Sequence, residues 1–216
     1  MTRKIFTILA IVSAIITIFA EYQWPAIVTY VFKPLTMVLI IIIALMAKTP
    51  PSRRYKYAII AGLLFSMAGD IFLMLPMDLF IAGLLSFLTA QLIYTYAFRT
   101  GRPLRFNFIA ILLLLIYGVL IYIILLPGVN EMAVPVAAYI VVILIMAWQA
   151  WDQWDQVRTR WALLAFIGAV LFVISDSILA LNKFGEPFLV ARALTLGTYF
   201  SAQWLISNSN YTEEII

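Results

Sequence analysis

The 216-residue sequence contains no histidine and no cysteine. The missing histidine excludes a Ser-His-Asp triad, a Cys-His dyad and a zinc site built on imidazole. The missing cysteine excludes disulfides, thiolate nucleophiles and iron–sulfur clusters. Charge is also scarce, since 11% of the residues are charged, 65% are hydrophobic and the mean hydropathy is +1.07. A soluble domain carries roughly 25% charged residues, so this chain lacks the polar surface of such a domain.

Short segments with charge or turn residues divide the chain into eight long apolar runs. A helix of about 20 residues crosses a bilayer, and helices are favoured because every backbone group within lipid needs a partner. We therefore predict an all-α fold: a single transmembrane domain over residues 1–216 with eight transmembrane helices and no room for a separate soluble domain. The predicted spans lie near 5–20, 27–47, 57–75, 79–98, 106–126, 132–151, 161–181 and 188–206.

Lysine and arginine are concentrated in every second connection between these runs. Eleven of them would lie on one side of the membrane, whereas the opposite connections carry only Lys183. The positive-inside rule then predicts that both termini face the cytoplasm. Because the basic residues are spread over separate membrane loops, we expect no nucleic-acid partner. The eleven are Arg3, Lys4, Lys48, Arg53, Arg54, Lys56, Arg99, Arg102, Arg105, Arg158 and Arg160.

The first run also has features of a signal peptide, because it follows Arg3 and Lys4 and is only about 16 residues long. Bulky Ile18, close before a cleavage after Ala20, favours an uncleaved helix. The other seven helices would have the same orientation in either case.

Two pairs of runs resemble each other. Residues 62–70 and 168–176 both begin with glycine and end with a small residue followed by aspartate, 106 residues apart. The following runs carry Thr-Ala-Gln at 89–91 and Ser-Ala-Gln at 201–203, 112 residues apart. Copies that are four helices apart point the same way across the membrane, so the pattern predicts a parallel repeat of four helices.

Four charged side chains lie within apolar runs, where a charge costs roughly 2.5–3.5 kcal/mol. They are Lys33, Asp70, Asp176 and Arg192, and all are expected in the outer part of the bilayer. They could form two structural salt bridges, Lys33 with Asp70 and Arg192 with Asp176. They could also surround a polar cavity, where one aspartate would be protonated and act as an acid while the other stays ionised and acts as a base.

Several other polar residues are weaker candidates for the lining of this cavity, and hydrogen bonds between helices are the alternative role for them. A further pair of carboxylates, Asp152 and Asp155, is close in sequence to Arg158 and Arg160. We interpret that group as a solvated charge cluster rather than a metal site. The candidate lining residues are Gln91, Tyr94, Asn182, Lys183, Tyr199 and Gln203.

Taken together, four motifs in this order resemble the YhhN family of membrane proteins, and the resemblance extends from Lys33 over nearly the whole remaining chain. The motifs are Phe32-Lys33-Pro34-Leu35-Thr36, Gly69-Asp70, Ser175-Asp176-Ser177-Ile178-Leu179-Ala180-Leu181-Asn182-Lys183 and Gly197-Thr198-Tyr199-Phe200-Ser201-Ala202-Gln203. The resemblance implies an eight-helix membrane protein with lysoplasmalogenase activity, and it maps the family's two conserved aspartates onto Asp70 and Asp176. One position departs from the family, because Gln91 stands where many members have a histidine.

The resemblance implies a lysophospholipid substrate, membrane lipid as the surroundings, and neither metal nor organic cofactor. Vinyl ether hydrolysis begins when a proton is added to the β-carbon, and Asp70 and Asp176 would serve as acid and base. Lys33, Lys183 or Arg192 would bind the phosphate. The alternatives are a small lipid or solute transporter with an intramembrane charged site and a non-enzymatic scaffold. Short loops indicate a bacterial inner membrane.

Overall fold

The computed structural model describes residues 2–99 and 103–212, which form α-helices and no β-strand. Arg102, one of the predicted cytoplasmic basic residues, lies outside these ranges. The helices are α1 (Thr2–Gln23), α2 (Ala26–Leu45), α3 (Arg53–Met74), α4 (Phe80–Phe98), α5 (Phe108–Val129), α6 (Ala133–Val157), α7 (Arg160–Phe184) and α8 (Ala191–Asn208).

A 3₁₀ turn, Asn130–Met132, joins α5 directly to α6, so the described residues form seven uninterrupted helical stretches. By length and composition, six of these can cross a membrane: α1, α2, α3, α4, the continuous Phe108–Val157 stretch, and α7. α8 is not among the six, and it carries Arg192, Gln203 and Asn208. The apolar helices make the chain an integral membrane protein.

The end of α6 differs from the sequence interpretation. The predicted run ends near residue 151, but α6 continues to Val157 and stops where Arg158 takes a left-handed conformation with φ 52°. Asp152 is therefore helical and only 2% exposed. Its carboxylate accepts hydrogen bonds from the Arg105 backbone N–H (3.2 Å) and from Gln156 Nε2 (2.8 Å). The interpretation as a solvated cluster is wrong for Asp152, because its carboxylate anchors the preceding loop.

Neighbouring helices pack as two close pairs, α3 with α4 and α7 with α8. Glycine permits the close approach in both. A Cβ atom on Gly62 would overlap the ring of Tyr94, and one on Gly168 would lie 2.7 Å from Ile206 Cγ1. Gly168 follows Gly62 by 106 residues and Ile206 follows Tyr94 by 112, which are the separations noted in the sequence.

The two pairs also have matching neighbours. α2 packs against α3 and α8, and α6 packs against α7 and α4. If α1–α4 correspond to α5–α8, each of these contacts maps onto the other. The buried core between the helices is apolar and aromatic, and its largest fully buried members include Met37, Ile40, Ile59, Leu63, Tyr94, Phe98, Phe172 and Ile206.

Candidate active site

A polar cavity of about 440 Å³ lies at the end of the bundle where α1 gives way to α2 and α7 gives way to α8. The four charged residues that the sequence placed within apolar runs all line it, which agrees with the prediction that they lie at a similar depth. Asn182 and Tyr199, two further candidates, line it as well. The polar members of the lining include Glu21, Lys33, Asp70, Ser175, Asp176, Asn182, Arg192 and Tyr199.

Asp70 is held by a cation and a hydroxyl. Lys33 Nζ lies 3.1 Å from its Oδ1, and the Tyr199 hydroxyl donates to its Oδ2 at 2.5 Å. The Asp70 side chain is 3% exposed and that of Lys33 is 12% exposed. Both carboxylate oxygens are therefore satisfied, as a buried ionised carboxylate requires. This is the first of the two salt bridges that the sequence analysis considered.

Asp176 has different partners. Its Oδ2 accepts a hydrogen bond from the Tyr139 hydroxyl (2.5 Å) and another from Gln91 Nε2 (3.3 Å). Across residues 2–99 and 103–212, no cation lies within ion-pair distance of it. The alternative pair with Arg192 is wrong, because Arg192 Nη1 lies 3.4 Å from Glu21 Oε2. The Arg192 side chain is 63% exposed, so it lies at the mouth of the cavity rather than beside Asp176.

The small residue before each aspartate allows a neighbouring helix to come close. A Cβ on Gly69 would lie 2.7 Å from the ring of Phe87 in α4. Ser175 Oγ donates to the Thr195 carbonyl oxygen in α8 at 3.0 Å. Both aspartates are thereby carried on helices that are packed tightly against the second member of their own pair.

A second, narrower cavity of about 70 Å³ runs between α4, α5, α6 and α7, and we call it the apolar slot. It shares four residues with the polar cavity, Leu73, Phe87, Asp176 and Leu179. Among the described residues, Asp176 is the one titratable side chain that lines both cavities. The slot is otherwise lined mainly by hydrophobic side chains, among them Phe80, Leu84, Gly118, Ile121, Val136, Ile140, Ile143, Leu144 and Val173.

The remaining predicted lining residues lie elsewhere. Lys183 borders the apolar slot, with Nζ 4.1 Å from the centroid of the Phe80 ring, and does not line the polar cavity. Gln91, Tyr94 and Gln203 are fully buried between helices. Gln91 reaches Asp176, whereas the Tyr94 hydroxyl donates to Gln203 Oε1 at 2.8 Å. Tyr94 and Gln203 therefore join α4 to α8, the alternative role given for them.

Two site residues were missed in the sequence, Tyr139 and Glu21. Glu21 follows the predicted run near 5–20, but it lies in the last turn of α1 and pairs with Arg192. Tyr139 lies within the predicted run near 132–151 and was not among the candidates. The predicted repeat offered a signal for it, because Tyr139 follows Lys33 by the same 106 residues that separate Asp176 from Asp70.

The arrangement is able to move protons. It brings together the carboxylates of Asp70 and Asp176, the hydroxyls of Tyr199 and Tyr139 that donate to them, and the Lys33 ammonium ion. Among the described residues, no group of three or more Asp or Glu side chains is arranged to hold a metal ion. Asp70 lies beside an ammonium ion and Asp176 does not, so the two carboxylates are suited to different steps of acid–base chemistry.

The family model described as "YhhN family" matches residues 28–210. The chain belongs to the YhhN family. Its Escherichia coli O6:H1 relative, named "Uncharacterized membrane protein YhhN", is 31% identical over 199 residues, which are 92% of this chain and 95% of that protein. This family membership agrees with the resemblance that the motifs indicated.

Animal relatives are similar to the chain over a shorter region. "Lysoplasmalogenase TMEM86A" of Bos taurus is 36% identical over 70% of this chain and 64% of that protein. "Lysoplasmalogenase TMEM86B" of Homo sapiens is 33% identical over 74% of this chain and 66% of that protein. The chain thus spans about two thirds of these relatives. No solved structure matches the chain.

Proposed function

We propose that this protein is a membrane hydrolase that cleaves the vinyl ether bond of lysoplasmalogens, releasing a fatty aldehyde and a glycerophospho-headgroup. The observation that carries the proposal is the pair of aspartates on one polar cavity that adjoins an apolar slot. The relatives named lysoplasmalogenase support the same conclusion.

The chemistry needs an acid and a base but no metal. Protonation of the vinyl β-carbon gives an oxocarbenium ion, and water then adds to form a hemiacetal that collapses to the products. Proton transfer to carbon is slow, so a positioned acid lowers the barrier, and a nearby carboxylate stabilises the developing cation. Asp70 and Asp176 supply both functions.

The two cavities suit the two ends of a lysolipid. The single aliphatic chain would occupy the apolar slot, and the glycerophosphate would occupy the polar cavity. Lys33 is already bonded to Asp70, whereas Arg192 lies at the cavity mouth with two long contacts to Glu21, one to its carboxylate and one to its backbone carbonyl oxygen. Arg192 is therefore the cation best placed for the phosphate, since charge-assisted contacts from guanidinium to phosphate are among the strong ones.

For the topology, we favour eight crossings with both termini in the cytoplasm of a bacterial inner membrane. The Phe108–Val157 stretch has 50 residues, which at 1.5 Å per residue exceed the roughly 30 Å hydrocarbon core more than twofold. Gly118 of α5 packs against Ile140 and Leu144 of α6, which supports two antiparallel crossings. α8, paired with α7, would complete a parallel repeat of four helices.

A transporter is less well supported. A carrier needs paths from its site to both sides of the membrane. Beside the aspartates, however, the bundle interior is filled by buried aromatic rings in edge-to-face and stacked contact, namely Phe87, Tyr94, Phe98, Phe172 and Tyr199.

The deciding experiment is aldehyde release by the purified protein in detergent. The substrates are a lysoplasmalogen and the matched saturated ether lysolipid, and the variants are Asp70→Asn and Asp176→Asn. Asp152→Asn is the control, because Asp152 is as buried as Asp70 but lies outside the cavity. We expect release from the vinyl ether alone, lost in both site variants and kept in the control. Absence of release from folded wild-type protein would overturn the proposal.

A further inference from the structure

The two aspartates of the site occupy equivalent places but have unlike partners. Lys33 in α2 bonds to Asp70, and Tyr139 in α6 bonds to Asp176. Lys33 and Tyr139 are 106 residues apart, as are the two aspartates. One half of the bundle therefore presents an ammonium ion to its carboxylate, whereas the other half presents a phenol at the corresponding position.

Each aspartate also receives a hydrogen bond from the opposite helix pair. Tyr199 of α8 donates to Asp70 of α3, and Gln91 of α4 donates to Asp176 of α7. At Asp70, Lys33 and Tyr199 occupy one oxygen each. At Asp176, both donors are on Oδ2, and Oδ1 has no hydrogen-bond partner in the described part of the chain. Oδ1 is therefore free to hold and deliver a proton.

The cavities differ at the two aspartates as well. Asp70 lines the polar cavity, whereas Asp176 lines both the polar cavity and the apolar slot. In a vinyl ether, the β-carbon that receives the proton is on the aliphatic-chain side of the ether oxygen. The α-carbon that receives water is also on that side, but it is bonded to the oxygen and is therefore one bond nearer the headgroup than the β-carbon.

We propose that Asp176 is the acid that protonates the chain-side carbon and that Asp70, held ionised by Lys33, is the base that activates water from the polar cavity. The assignment rests on the proposed function and gives each carboxylate its own role in the addition of water, and the two roles reverse when the hemiacetal collapses. Tyr139 and Lys33 are positioning residues, because each acts through the aspartate to which it is bonded.

The steps balance with one water consumed. The Asp176 proton adds to the β-carbon using the C=C electron pair, and a lone pair of the ether oxygen forms the oxocarbenium ion. Water attacks the α-carbon while Asp70 takes one of its protons. The hemiacetal then loses its hydroxyl proton to Asp176, the C–O bond breaks, and the departing glycerol oxygen takes the proton from Asp70. Both carboxylates return to their initial states.

Infrared spectroscopy tests the assignment without relying on activity. A protonated carboxyl has a C=O stretching band apart from that of a carboxylate, and the band shifts in D₂O. We expect wild-type protein at neutral pH to show this band, Asp176→Asn to lose it and Asp70→Asn to keep it. If Asp70→Asn lost the band instead, or if both variants kept it, the assignment would be overturned even if vinyl ether cleavage were established.

Chemical rescue provides the kinetic test. Formate is ionised at neutral pH, so it can replace a base but not an acid. We expect Asp70→Ala and Asp176→Ala each to lower aldehyde release by about 100-fold or more. Formate should then raise aldehyde release by Asp70→Ala about tenfold, which is a fraction of the 100-fold or greater acid–base contribution. It should leave aldehyde release by Asp176→Ala unchanged. Rescue of Asp176→Ala would reverse the roles.

Two substitutions of Tyr139 separate its positioning role from a merely structural one. Tyr139→Lys gives Asp176 the partner that Asp70 has, so the infrared band should disappear and turnover should fall although Asp176 is still present. Tyr139→Phe, the matched control, removes the hydroxyl without adding charge and should keep the band. An unchanged band in folded Tyr139→Lys would contradict the proposed role of this position.

Discussion

The buried ion pair between Lys33 and Asp70 predicts a strongly non-additive double-mutant cycle. Lys33→Met leaves a carboxylate that is 3% exposed with the Tyr199 hydroxyl as its remaining partner. Removing one member of a buried pair costs about 3–5 kcal/mol, because the other charge is left uncompensated. Since the Lys33 side chain is 12% exposed toward the polar cavity, we expect the lower end, about 3 kcal/mol for each single substitution.

The double variant Lys33→Met/Asp70→Asn carries no buried charge at this position. Asn retains an oxygen that can accept from Tyr199, and Met fills the volume of the lysine stem. Replacing a buried ion pair by neutral side chains is often neutral, so we expect the double variant to be within about 1 kcal/mol of wild type. Its aldehyde release should nevertheless be abolished, because the base is absent.

The assay is equilibrium unfolding in mild detergent on titration with sodium dodecyl sulfate, followed by the fluorescence of the six tryptophans. At about 2–4 °C per kcal/mol for a chain of this size, each single variant should also melt about 6–12 °C below wild type. Costs below about 1 kcal/mol for the single variants, or a double variant whose cost equals their sum, would refute the coupling.

Three further predictions concern packing, the apolar slot and topology. Gly128→Ala should lower the free energy of unfolding by about 1–3 kcal/mol, because the new Cβ would overlap the Phe184 carbonyl oxygen at the end of α7. Gly197→Ala is the control: a Cβ there would have no atom within 4 Å, so this variant should be neutral or more stable by up to about 1 kcal/mol. Ile140→Phe narrows the slot and should lower kcat/KM for long-chain lysoplasmalogens more than for short-chain ones, and equal effects would argue against the slot as the chain site. Because the chain has no native cysteine, Lys48→Cys and Glu186→Cys can be labelled singly. An impermeant maleimide on intact cells should modify only the second, and the reverse would invert the predicted orientation.

Hydropathy located helices better than it located their ends. The run predicted at 79–98 corresponds to α4, Phe80–Phe98. The run predicted at 132–151 stops six residues short of the end of α6, at Val157. Hydropathy reports the segment that is soluble in lipid, whereas a helix continues as long as its backbone bonds and side-chain partners allow. Asp152 lies in this additional part of α6, where its carboxylate accepts hydrogen bonds from Arg105 and Gln156.

The cost of intramembrane charge was sufficient to find four charged residues that line the polar cavity, but not to pair them. Lys33 with Asp70 was among the pairs considered, and the structure contains it. Arg192 was paired with Asp176, but it contacts Glu21. Which partners meet depends on the tilt and rotation of each helix, which packing determines and apolar composition does not. Tyr139 was missed for a related reason, because a tyrosine in an apolar run is unremarkable until its rotation toward Asp176 is known.

The outer wall of the apolar slot is α5, and the opposite side of α5 is exposed along its length, including Leu112, Ile116 and Ile123. That side faces the hydrocarbon of the bilayer, so a substrate dissolved in the membrane is separated from the slot by the thickness of one helix. The concentration that governs its encounter with the slot is then its mole fraction among the surrounding lipids, not its amount per volume of water. Inert lipid or detergent added at constant total substrate should lower the mole fraction of the substrate and thereby the rate. A KM for this protein should therefore be expressed in mole per cent.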